Sequence, residues 1–243
     1  MEREAWNKEK YEGYWKARTA EGEEGFRTFH EKIVCANQPI IGIRTPQMRK
    51  LAKEIGNGDG AGYLAIATKE TYEQRLMYGL VLSQIKMPYE EFMVYCDTYV
   101  RTFVDNWALC DVFTSSIKTV VLKNKDAFYT HIQGYLADES PWVVRVGIVL
   151  LLEYYIDEVY LERVLGCMDK VQSDFYYVRM AKAWLLSLVW VKFPERARAY
   201  AQTMDCDFDT TKMFIQKCCD SYRISPEDKI WLRAWRKQLK RGL

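Results

Sequence analysis

"NWALCDVFTSSIKTVVL", residues 106–122, decides the fold. Its apolar residues recur at helical spacing and it holds no Gly or Pro, so it reads as one long helix. Trp107 opens the helix, and Asp111 follows one turn later on the same face. Steps of about 35 residues from Trp107 land on Tyr72, Trp142, Tyr177 and Lys212, and self-similarity at such a period is the mark of stacked helical hairpins. The stretches that carry these positions, "YEQRLMYGLVLSQI", "PWVVRVGIVLLLEYY" and "YYVRMAKAWLLSLVWV", are also long and apolar. Asp105, Ser140, Asp174 and Asp209 stand before them as helix-start signals. Shorter helical stretches such as "YEEFMVYCDTYV" and "DAFYTHIQGYL" alternate with the long ones.

The expected fold is all-α: an α-α superhelix (solenoid) of HEAT-like helical-hairpin repeats with a concave basic groove, one domain over residues 1–243. Tetratricopeptide repeats have a similar period, but their Trp-x-x-Leu-Gly signature is missing. "PIIGIRTP" is bracketed by Pro39 and Pro46 and reads as a connector rather than a strand. "GNGDGAG" (56–62) lacks the Lys-Ser/Thr of a phosphate loop and also reads as a connector.

Composition narrows the function. A formal charge of +2 is too small to indicate a nucleic-acid partner without regard to where the charges lie. The seven cysteines are odd in number and include no C-x-x-C, so neither a disulfide framework nor a zinc site is expected, and a reducing cytoplasm is the simplest location. His30 and His131 are isolated, which speaks against a His-based triad or metal site. The N-terminal "MEREAWNKEK" does not read as a signal peptide, and Arg145 and Glu153 interrupt the most apolar stretch, so no membrane partner is expected.

The repeat register makes Asp111 stand out. Its counterparts one period apart are Leu76, Val146, Ala181 and Gln216, three of them apolar, so a carboxylate there is out of pattern. Arg145 lies one repeat on, and Trp184 one repeat further. A carboxylate and indole faces suit a developing cation, and an arginine suits phosphate. Together they describe a glycosidic bond breaking through an oxocarbenium-like sugar within a phosphodiester strand. The other reading is structural: Trp107 and Trp142 as core, and Arg145 ion-paired with Asp111 or Asp138. Basic residues cluster at Arg44, Arg49, Lys50 and Lys53, at Arg179 and Lys182, at Lys212, Lys217 and Arg223, and in the C-terminal "WLRAWRKQLKRGL". Several lie near helix starts, where backbone N–H groups also favour phosphate.

Four ordered stretches carry a family resemblance: "GIRTPQMRKLAKEI" (42–55), "NWALCD" (106–111), "PWVVR" (141–145) and "YYVRMAKAWLL" (176–186). From about Ile41 to Arg223 the chain resembles the DNA alkylation repair glycosylases built from HEAT-like repeats, the AlkD family. The resemblance implies that Trp107 and Asp111 are the catalytic Trp-x-x-x-Asp pair, that Trp184 packs against the lesion's deoxyribose, and that Arg145 holds phosphate near the lesion. It implies excision of cationic N3- and N7-alkylated purines from duplex DNA by a monomer, with no cofactor and no metal. Arg44, Arg179, Lys182, Lys212 and Lys217 are the further candidates for DNA contacts. The chain departs from the family pattern at "EEGFRTFHEKIVCANQPIIGI" (23–43), which aligns poorly with the aromatic-bearing N-terminal helix of well-studied members. Residues 35–41 read as a short connector in its place. A non-catalytic DNA binder and a protein-interaction scaffold remain the alternatives.

Overall fold

The computed structural model describes residues 5–239, and these form fifteen helices and no strand. The helices fall into two compact units, residues 1–124 and 125–243. The first unit holds α1 (Lys8–Thr19), α2 (Glu24–Val34), α3 (Thr45–Asn57), α4 (Gly60–Ile66), α5 (Tyr72–Leu82), α6 (Tyr89–Thr102), α7 (Trp107–Ser116) and α8 (Lys118–Lys123). The second holds α9 (Lys125–Leu136), α10 (Pro141–Tyr154), α11 (Leu161–Lys170), α12 (Tyr176–Lys192), α13 (Pro194–Ala201), α14 (Phe208–Asp220) and α15 (Pro226–Leu239).

Within the first unit α3, α5 and α7 pack in sequence, with α4 and α6 against α5. Within the second, α10, α12 and α14 pack in sequence, with α9 against α10, α13 against α12 and α15 against α14. Each unit is therefore a row of helices backed by a second set, the hairpin order of an α-α superhelical repeat. From α5 onward the expected period is kept: these row helices begin at Tyr72, Trp107, Pro141, Tyr176 and Phe208.

One row helix in each unit is buried nearly all round, because a helix flanked on several sides has little face left for water. Every residue of α5 is buried, as are the ten from Val143 to Leu152 in α10. This forces each polar group on α5 to find a protein partner, since an unsatisfied one costs about 1–3 kcal/mol. Glu73 accepts from the backbone N–H groups of Ile41, Gly42 and Ile43. Gln74 closes a capping box with Thr71. Arg75 donates to the carbonyls of Lys69 and Phe103 and lies 3.3 Å from the Asp105 carboxylate.

Gly79 sets how closely α6 approaches α5. A Cβ there would stand 2.6 Å from Cζ of the fully buried Tyr99. Gly79→Ala gains about 1 kcal/mol of helix propensity but overpacks the contact at about 1–3 kcal/mol. The expected result is a lower urea midpoint, measured by circular dichroism.

Two sequence expectations need correction. The stretch 106–122 is two helices, broken at Ile117 between α7 and α8. Three of the four helix-start residues are shifted: Asn106 and Asp207 cap α7 and α14, and Phe175 precedes α12, while Ser140 stands before α10 as expected. α1 precedes the periodic stretches and is held by Tyr11 and Trp15 among the rings of Trp6, Tyr14 and Tyr63. Its outer face is charged, which hides it from an apolar-period reading. Residues 35–44 are non-helical, as the connector reading requires. "GNGDGAG" is the corner between α3 and α4, where Asp59 caps Gly62 and accepts from the backbone N–H of Trp6.

Candidate nucleic-acid interface

The first unit positions Trp107 and Asp111. The buried Asn106 side chain accepts from the backbone N–H groups of Ala108 and Leu109, both at 3.1 Å. That cap fixes Trp107 as the first residue of α7 and puts Asp111 one turn on. Both side chains are half-buried, whereas the counterparts Leu76, Val146 and Ala181 are fully buried. The indole Nε1–H of Trp107 donates to the backbone carbonyl of Ile33 at 3.0 Å. Ile33 lies in the last turn of α2, where carbonyls have no helical partner and carry the negative end of the helix dipole. Nothing in the sequence near Trp107 signals this contact, because its partner is more than seventy positions away. On the same helix Phe29 and Ile33, one turn apart, expose large apolar side chains.

Arg44, the first-unit member of the basic set, is engaged with Glu23. Its Nε and Nη2 both donate to that carboxylate, and the partnership holds the Glu23 carboxyl below its usual range.

In the second unit Arg145 is 4% exposed, and its Nη1 donates to the Tyr177 carbonyl at 2.8 Å. The guanidinium carbon lies 5.9 Å from the Tyr177 ring, which packs against Trp142. Arg75 holds the equivalent place one unit earlier and makes the equivalent bond, to Phe103. Both arginines thus tie a row helix to the chain entering the next one. Arg–Asp pairs of the kind a ladder uses are made by Arg75 with Asp105 and by Arg179 with Asp207.

Trp184 lines an open groove of about 330 Å³ between α12 and α14, together with Ser187, Lys217, Asp220 and Arg223. The Lys217 ammonium lies 5.9 Å from the Trp184 ring centre, within cation–π range. Lys212 is exposed on α14. Arg179 donates to Asp174 and lies within 4 Å of Asp207 and Asp209, so three carboxylates share its charge. Lys182 is 3% exposed, and its Nζ donates to the carbonyls of Val171 and Asp205. It acts as an internal strut between two connectors, and a phosphate does not reach it in this arrangement. The C-terminal basic run continues along α15 to Leu239; its last four residues lie outside the described part.

A family model for DNA alkylation repair enzyme matches residues 16–217. The chain belongs to that family. Membership places it in DNA repair, with DNA as the partner. The match begins inside α1 and takes in α2 and the 35–44 connector, so it reaches further toward the N terminus than the four motif stretches. No curated protein matches the chain. No helix among the described residues is long and apolar enough to cross a membrane.

Proposed function

We propose that this member is a DNA glycosylase that releases cationic N3- and N7-alkylated purines from duplex DNA. The observation that carries the reading is the Trp107–Asp111 pair at the capped start of α7, with Asp111 half-exposed where its counterparts Leu76, Val146 and Ala181 are buried and apolar. Asp111 supplies a fixed negative charge beside the deoxyribose as its bond to the base lengthens. The Trp107 ring face attracts the same developing cation by about 0.5–2 kcal/mol, and Trp184 keeps the sugar-packing role that the family resemblance implies for it. The alkylated purine leaves with the electron pair of the glycosidic bond, which cancels its own positive charge. Water then adds to the sugar C1′ and loses a proton. Since the leaving group is already activated, modest electrostatic help suffices.

Lys212 and Lys217 are assigned to the phosphate backbone, with Arg44 and Arg179 contributing once their carboxylate partners yield, and Arg145 once its buried guanidinium is released from the Tyr177 carbonyl. Lys182 is left out because its ammonium is committed to two backbone carbonyls. The direct test is release of 7-methylguanine or 3-methyladenine from alkylated duplex, followed by chromatography. Release above the spontaneous rate is expected. A chain that binds alkylated duplex without releasing base is a binder, and the glycosylase reading then fails. Duplex affinity should fall with added salt, by a slope of about 0.9 per phosphate engaged.

A further inference from the structure

Glu73 sits at the start of the fully buried α5 with no exposed surface, and the catalytic reading has no use for it. A buried carboxylate is costly unless hydrogen-bonded. Burial pushes the Glu73 carboxyl above the usual range, and backbone N–H donors oppose that push. The donors come from three successive residues of one connector: Ile41 at 2.9 Å, Gly42 at 2.8 Å and Ile43 at 3.3 Å. Three N–H groups converge on one side chain only if the backbone curls. Gly42 supplies the curl with φ +98, and a Cβ there would stand 2.8 Å from the Glu23 carbonyl.

The same connector holds α2. The Gly42 carbonyl accepts from the Glu23 N–H at 3.1 Å, and Arg44 grips the Glu23 carboxylate. Glu23 is the residue from which α2 starts, and the far end of α2 offers the Ile33 carbonyl to the Trp107 indole. A continuous set of bonds therefore runs from Glu73 through the connector and α2 to the indole.

We infer that Glu73 is a positioning residue for Trp107: its carboxylate clasps residues 41–43, and so fixes the α2 carbonyl that sets the indole plane. An indole otherwise rotates about its side-chain torsions, and a ring held in one plane presents its face to the sugar without reorganisation at the moment of reaction. The catalytic consequence rests on the glycosylase reading; the mechanical link does not.

The test is hydrogen exchange of the indole N–H groups by NMR, with the Trp107 signal assigned by its loss in Trp107→Phe. Glu73→Gln keeps shape and volume but turns an NH₂ toward one of the backbone N–H donors. It should raise Trp107 indole exchange at least ten-fold, with Trp15 of the same unit and Trp190 unchanged. Glu23→Gln, at a solvent-exposed position that does not endanger folding, should raise Trp107 exchange by a smaller factor and decides the matter if Glu73→Gln does not fold. Unchanged Trp107 exchange in the folded variants, or an equal rise at Trp15, overturns the proposal. On alkylated duplex, Glu73→Gln should lower kcat with KM unchanged; a KM change at unchanged kcat overturns the catalytic consequence. If the wild-type chain releases no base, the glycosylase reading fails while the exchange result still judges the link.

Discussion

Asp111→Asn should lower release of 7-methylguanine from alkylated duplex about 100-fold, on the order of what removing one preorganised electrostatic group costs. The replacement keeps shape and can still accept through its amide oxygen, so helix α7 and its Asn106 cap should persist. Duplex affinity should hold or rise slightly, because a negative charge facing phosphate is removed. The measurement is single-turnover excision beside a binding titration at one salt concentration. A variant as fast as the parent would remove Asp111 from the mechanism. A variant that also loses binding would make Asp111 part of the scaffold.

Arg145→Met should produce two separable losses. The Tyr177 carbonyl gives up a charge-assisted bond at a buried position, which costs about 1.5–3 kcal/mol of stability. If the guanidinium also holds phosphate, duplex affinity falls and the salt slope drops by about 0.9. Arg75→Met separates the two effects. Arg75 occupies the same register and makes the same kind of bond, to Phe103, with Asp105 beside it. It should also cost stability, through the lost Phe103 bond and the Asp105 carboxylate left without its cation, but leave the salt slope unchanged. Equal slopes for both variants would return Arg145 to a purely structural role. Urea titrations and salt-dependent binding supply the two readouts.

The period of the long helices was readable because it rests on local signals: an aromatic near each helix start, an apolar run behind it, and a polar residue before it. Those signals located α5, α7, α10, α12 and α14 to within a few residues. Which polar residue caps each helix was less legible. Asp105 and Asn106 are both good caps on paper; the pairing of Asp105 with Arg75, thirty positions earlier, leaves the cap to Asn106. Lys182 shows the same limit for function. In "YYVRMAKAW" it reads as one of a basic pair, but its side chain threads inward to carbonyls in two connectors. Glu73 and Ile33 were invisible as contributors because their partners lie thirty or more positions away. The Trp-Asp pair itself was legible, since both members share one turn of one helix.

The unequal burial along the repeat register restricts where such chemistry can be placed. Val146 and Ala181 stand where Asp111 stands, but neither touches solvent. A carboxylate grafted onto either would meet only packed side chains, and would be expelled or neutralised before it could serve a substrate. Duplicating the α10 or α12 repeat would therefore lengthen the scaffold without adding a second solvent-facing carboxylate at this place in the register.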